Sequence, residues 1–180
     1  MATSNFGRVS RDRNFQPHFI SIYPLEMGCV CDFETRLDSN SSLCGQAFSY
    51  LHDADEAIAT VSGCAHSGNN SLRLRSSGHH VRAKAIGCSF HLAPDRQYRL
   101  SGWVKTSLTQ GGARIQAHEY RFNLENTLGF HDTVSVNGET DRMYVSVEWV
   151  PGELAHVVDI WIQVYGVGVA WVDDILLEGI

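Results

Sequence analysis

The chain has 180 residues and a mass of 20.0 kDa, with 43% hydrophobic and 19% charged residues, the composition of one globular domain. That balance excludes a disordered or helical membrane-spanning chain. Lys and Arg number 14 against 20 Asp and Glu, a formal net charge of −6; this speaks against nucleic acid or an anionic membrane as partner and leaves room for a neutral ligand or a bound cation.

Residues 1–27 read as an N-terminal extension and 28–180 as the folded unit. The opening Met1–Phe15 holds no apolar run of signal-peptide type. Phe19–Tyr23 reads as a short strand closed by Pro24. The five cysteines, Cys29, Cys31, Cys44, Cys64 and Cys88, are odd in number, so at least one thiol is unpaired within the chain. Their connectivity stays open, and Cys29-Val30-Cys31 lacks a second pair at zinc spacing. His52–Thr60 is the one helix candidate. Candidate strands then follow at Ser71–Arg75, Ala83–Leu92, Gln97–Thr106, Ala113–Phe122, Met143–Val150, Val157–Tyr165 and Val169–Glu178. Turn signals separate them: Ser67–Asn70, Ala93–Asp95, Gln110–Gly112, Val136–Gly138 and Pro151-Gly152. His79-His80 sits on a loop and reads as solvated. Seven or more strands without intervening helices predict an all-β fold, an antiparallel two-sheet sandwich or a barrel.

Alternation assigns the faces. Val158, Ile160, Ile162 and Val164 share one side of their strand, while Asp159, Trp161 and Gln163 share the other. Ile115 and Ala117 face oppositely to Arg114, Gln116, His118 and Tyr120. The apolar sets, joined by Leu100 and Val104, form the predicted core. The opposite sets mix aromatics with groups that donate and accept hydrogen bonds, which is the chemistry of a sugar-binding surface. An aromatic plane covers the C–H face of a pyranose, and Asp, Gln, His or Arg meets its hydroxyls. Trp161 and Trp103 are expected together on one outward face, bordered by Arg114, Gln116, His118, Tyr120, Asp159 and Gln163. In the competing reading the Trp side chains are core.

Four segments in order carry a resemblance: Asp32-Phe33-Glu34, then Ala65-His66-Ser67-Gly68-Asn69-Asn70-Ser71-Leu72, then Pro94 to Lys105 with Tyr98-Arg99-Leu100-Ser101-Gly102-Trp103-Val104-Lys105, and Val172-Asp173-Asp174-Ile175. Together they resemble the carbohydrate-binding modules of the family 4, 9 and 22 group, over about Asp32 to Gly179. Asp32 departs from a frequent Gly, and the cysteine content is high. The resemblance implies a jelly-roll sandwich that binds polysaccharide without catalysis, as an accessory domain of a larger secreted protein, usually a glycoside hydrolase. It also implies a structural Ca2+, with Glu34 and Asp173 giving carboxylate oxygens and Asn69 and Asp32 backbone carbonyls. Hard oxygen ligands suit calcium, and a carboxylate buried in an apolar strand needs a cation or several donors.

Two other functions compete. One is a sandwich without a ligand, serving as a structural or interaction domain. The other is a small polysaccharide lyase, because Gln116-Ala117-His118 resembles the Gln-x-His motif of jelly-roll alginate lyases, with Tyr120 as acid. The Arg-rich and Tyr-x-Lys-x-Gly strands of those enzymes are missing. Asp159 and Glu119 are the candidate carboxylates for a glycosidase.

Overall fold

The computed structural model describes residues 29–31, 33–34, 46–49, 58–78, 81–86, 90–122 and 126–180. The described residues form strands joined by turns, with no helix. In chain order they are β1 (Cys29–Cys31), β2 (Gln46–Ser49), β3 (Ile58–Ser62), β4 (Asn70–Ser77), β5 (Val81–Ile86), β6 (Phe90–His91), β7 (Tyr98–Tyr120), β8 (Thr127–Asp132), β9 (Val136–Trp149) and β10 (Val157–Gly179).

Two 23-residue strands, β7 and β10, run antiparallel along their whole length, from Tyr98 opposite Gly179 to Tyr120 opposite Val157. Their two halves serve different sheets. The first half of β10 pairs with the second half of β7, and β5, β6, β2 and β8 complete that layer. The second half of β10 pairs with the first half of β7, flanked by β4, β3, β1 and β9. Every pairing is antiparallel, and the fold is a β-sandwich.

The core follows the predicted alternation. Val158, Ile160, Ile162, Val164, Leu100, Val104 and Ile115 are all at most 1% exposed and belong to one cluster. Each such side chain contributes roughly 1.5–3 kcal/mol by leaving water.

Several predicted elements are corrected. Gln110–Gly112 does not turn, nor does Val136–Gly138; they lie inside β7 and at the start of β9. Gly111 (φ +85°) stands opposite Gly166 (φ +106°), and there both long strands crease from one layer into the other. A Cβ on Gly111 would lie 1.8 Å from the Tyr165 carbonyl oxygen, and one on Gly166 would lie 2.0 Å from that of Gln110. Only glycine fits both positions. A glycine signal marks positive φ, and a crease satisfies that need as well as a turn does. The Ala93–Arg96 and Gly152–Ala155 turns do form, each closed by a backbone hydrogen bond. Within Ala83–Leu92, Ala83–Ile86 and Phe90–His91 are strand, and residues 87–89 lie outside the described residues. Ile58–Thr60, the end of the expected helix, is strand, because β3 pairs with β4 there. The rest of that segment, residues 1–28 with Phe19–Tyr23, Asp32, His79-His80, Cys44 and Cys88 lie outside the described residues. Cys64 is a free, partly buried thiol. No helix among the described residues is long and apolar enough to cross a membrane.

Candidate functional site

The outer face of the first layer gathers seven of the eight predicted binding residues. Register sets Asp159 opposite His118, Trp161 opposite Gln116 and Gln163 opposite Arg114. Strand period then brings these side chains, with Tyr120, to the side away from the aliphatic core.

They form one connected system. The Arg114 guanidinium donates through Nε (3.3 Å) and Nη2 (3.1 Å) to Gln163 Oε1, and through Nη1 (2.6 Å) to Asp132 Oδ2. The Gln116 amide donates to Asp132 Oδ1. His118 Nε2 donates to Gln116 Oε1 at 3.2 Å, which leaves Nδ1 to accept from the Tyr120 hydroxyl at 3.5 Å. The His118 ring stacks on Trp161 (centroids 5.0 Å apart, 19° between planes) and meets Phe130 at 90° and 4.6 Å. Arg114 also lies over the Tyr165 ring at 5.9 Å, and Tyr165 shares a 2.7 Å hydroxyl contact with Ser135.

Burial is graded across this face. Asp159, Gln163, Gln116, His118 and Tyr120 are buried, and Trp161 is only 8% exposed although it is absent from the core cluster. Phe130, on β8, is 61% exposed. The expected exposed indole of Trp161 is therefore not what faces solvent.

Trp103 is not part of this face. It stands opposite Asp173 and Tyr144, in the second layer. There it stacks on His66 (3.9 Å, 11°) and meets Tyr144 edge-on at 5.5 Å. The expectation that Trp103 and Trp161 share one groove fails because Gln97–Thr106 and Ala113–Phe122 are halves of one strand serving two layers.

The candidate enzymes also fare differently from their sequence patterns. Gln116, His118 and Tyr120 bond one another, and the Gln116 amide is held by Asp132, so the Gln-x-His motif is turned inward on itself. Asp159 and Glu119 point to opposite faces, since Glu119 pairs with core residue Val158. Glu119 instead accepts from Trp149 Nε1 at 2.9 Å.

Two of the expected calcium ligands converge on the loop at Ala65–Asn70. Glu34 Oε1 accepts from the backbone N–H of Asn69 (2.7 Å) and Asn70 (2.6 Å). Asp173 Oδ2 accepts from His66 N (2.6 Å) and Ser67 N (3.2 Å), while Oδ1 accepts from Asp174 N (2.8 Å). Asp174, at φ +46°, turns its carboxylate to His66 Nδ1 and Ser67 Oγ, both at 2.6 Å. Burial pushes the Asp173 carboxyl above the usual carboxylate range, opposed by the three N–H bonds. The need of a buried carboxylate is thus met here by several donors. Glu34 and Asp173 offer hard oxygens and both bond to one loop, which fits calcium chemistry, but no group of three acidic, His or Cys side chains converges among the described residues. Any further ligands would be backbone carbonyls, as expected for Asn69.

Sequence reasoning missed β8, and with it Phe130 and Asp132. The alternation Leu128, Phe130, Asp132 was available, but Gly129 and the shortness of the run hid it.

No protein-family model and no curated protein matches the chain. Solved structures do. The CBM22-1–GH10 modules of an endo-1,4-β-D-xylanase from Clostridium thermocellum, complexed with xylohexaose, superpose with TM-score 0.61 at 14% identity, over 85% of this chain and 28% of that one. The module TmCBM61, complexed with β-1,4-galactotriose, gives 0.54 at 15% identity, over 83% and 94%. This chain has the fold of carbohydrate-binding modules. The enzymatically active domain of tailspike protein 4 from bacteriophage CBA120 shares it at TM-score 0.56 and 12% identity, over 68% of this chain and 18% of that one. The chain thus spans less than a fifth of that tailspike chain.

Proposed function

We propose that this module binds polysaccharide chains without catalysis, on the outer face of the layer that holds Arg114, Gln116, His118, Tyr120, Asp159, Trp161 and Gln163. One observation carries the reading. A continuous hydrogen-bonded array from Gln163 to Tyr120 lies outside the aliphatic core, and its His118 meets the exposed ring of Phe130. A core does not need such an array, and holding it in place lowers the ordering cost of binding a polar ligand. The inward bonding of Gln116, His118 and Tyr120 favours binding over lyase chemistry. The module acts as an extracellular domain of a larger protein; the xylanase with the same fold joins its CBM22-1 module to a GH10 module. A structural Ca2+ near Glu34 and Asp173, with Asn69 and Asp32 as backbone ligands, belongs to this reading. It supplies charge neutralisation for two carboxylates and ties the first and last strands to the loop at Ala65–Asn70.

A glycan array tests the function. Binding without ultraviolet-absorbing unsaturated products is expected, with Kd between about 1 μM and 1 mM. Turnover would establish a lyase. A ligand-free structural domain is the second reading, favoured by the burial of Trp161 and Asp159; absence of binding to every glycan would establish it.

A further inference from the structure

We infer that the ligand is met not by the predicted indoles but by β8: Phe130 is the stacking platform, and the Asp132–Arg114 pair selects neutral sugars carrying vicinal hydroxyls over uronates. This rests on the polysaccharide-binding reading and refines it.

Exposure decides the platform. Stacking gains energy from apolar area still in water, and Trp161 has almost none left at 8%, whereas Phe130 keeps 61%. Phe130 is also fixed from beneath, edge to face on His118, which is itself stacked on Trp161. The indole therefore positions the platform through His118 and does not touch the sugar.

Phe130 and Asp132 share a face two residues apart, about 7 Å. One sugar ring with its hydroxyls spans that distance. A hydroxyl array reaching Asp132 finds an unusual combination of spare capacity. Guanidinium has five N–H donors, and Arg114 commits three to Gln163 and Asp132. A carboxylate offers about four acceptor sites, and Asp132 commits two, to Arg114 and Gln116. Acceptors and donors thus stand side by side at the rim, where the side chains are 36% and 29% exposed. Two neighbouring hydroxyls complement them, one donating to Asp132 and the next accepting from Arg114. A ligand carboxylate does not. Arg114 and Asp132 already neutralise each other, so a uronate would bring a second carboxylate to one guanidinium and leave one acid uncompensated on a chain whose net charge is −6.

Isothermal titration on the full chain tests this with β-1,4-galactotriose, xylohexaose and a β-1,3-1,4 tetrasaccharide as neutral probes, and polygalacturonate oligomers as acidic ones. At least one neutral probe should bind, and the uronates should bind about tenfold more weakly or not at all. Phe130→Ala should weaken binding by about 10- to 100-fold, with Leu128→Ala as the same-strand control staying within about threefold. Asp132→Asn should narrow the gap between neutral and acidic probes. Thermal unfolding of each variant separates lost contact from lost fold. If a neutral probe binds and Phe130→Ala leaves its affinity within about twofold, the platform assignment is overturned while polysaccharide binding stands. Uronates binding as tightly as neutral sugars would overturn the selectivity alone. If the unmutated chain binds no glycan, the function itself fails and this inference with it.

Discussion

Replacing Gly111 by Ala tests the crease that lets β7 serve both layers. The magnitude has two parts. At φ +85° an L residue costs roughly 1–2 kcal/mol. Its Cβ would also sit 1.8 Å from the Tyr165 carbonyl oxygen, a backbone atom that cannot rotate away. Forcing the strands apart adds the cost of overpacking, about 1–3 kcal/mol. The total is about 2–5 kcal/mol, and for a domain of this size that lowers Tm by roughly 4–20 °C. Gly138→Ala is the matched control: its φ is +72°, yet nothing lies within 4 Å of the added atom. It should lose only the conformational part, about 1–2 kcal/mol. Urea titration and thermal circular dichroism on both variants measure the difference. If Gly111→Ala is no more damaging than Gly138→Ala, the close approach of the two long strands is refuted as the reason for glycine there.

Exhaustive chelation should lower Tm by about 5–11 °C if calcium is held at 100 times its Kd, a linkage of about 2.7 kcal/mol; unchanged melting would remove the ion from the description. In chelated protein, burial holds the Asp173 carboxyl above its unfolded value, so the folded state binds the proton more tightly. That contribution is complete below about pH 3.9 and is lost as pH rises through the folded value. Asp173→Asn should flatten the slope of Tm against pH above about pH 4, and an unaltered slope would contradict the assigned direction. Trp149→Phe removes the indole donor from the buried Glu119 carboxylate and should cost about 1–3 kcal/mol; a double-mutant cycle with Glu119→Gln that shows no coupling would count against the bond.

The layered architecture was legible because period two needs no tertiary information. Val158 to Val164 alternate strictly, and every aliphatic member is in the core. The polar array along β7 was legible for the same reason. Its partner across the edge was not: Asp132 reaches Arg114 only because β8 pairs in a register that no local pattern specifies. Gly111 and Gly166 misled in an instructive way, since positive φ is a demand on backbone geometry and says nothing about whether the chain reverses. Asp173 shows a further limit. Its burial was readable from the apolar strand, but two of the three donors satisfying it come from a loop more than a hundred residues earlier.

The shared spine of β7 and β10 also governs how the chain acquires its fold. Tyr98 must find Gly179, and neither layer has a complete central pair until β10 exists. Roughly 80 residues separate those partners, so at about 5–20 residues per second a ribosome leaves β7 waiting about 4–16 s for its mate. During that interval Leu100, Val104 and Ile115 have no layer to cover them. Pairing of such distant segments is slow to nucleate, and once made it binds both layers into one cooperative unit. The module should accordingly unfold in a single transition, and synthesis, not equilibrium stability, is the stage at which it is most exposed to aggregation.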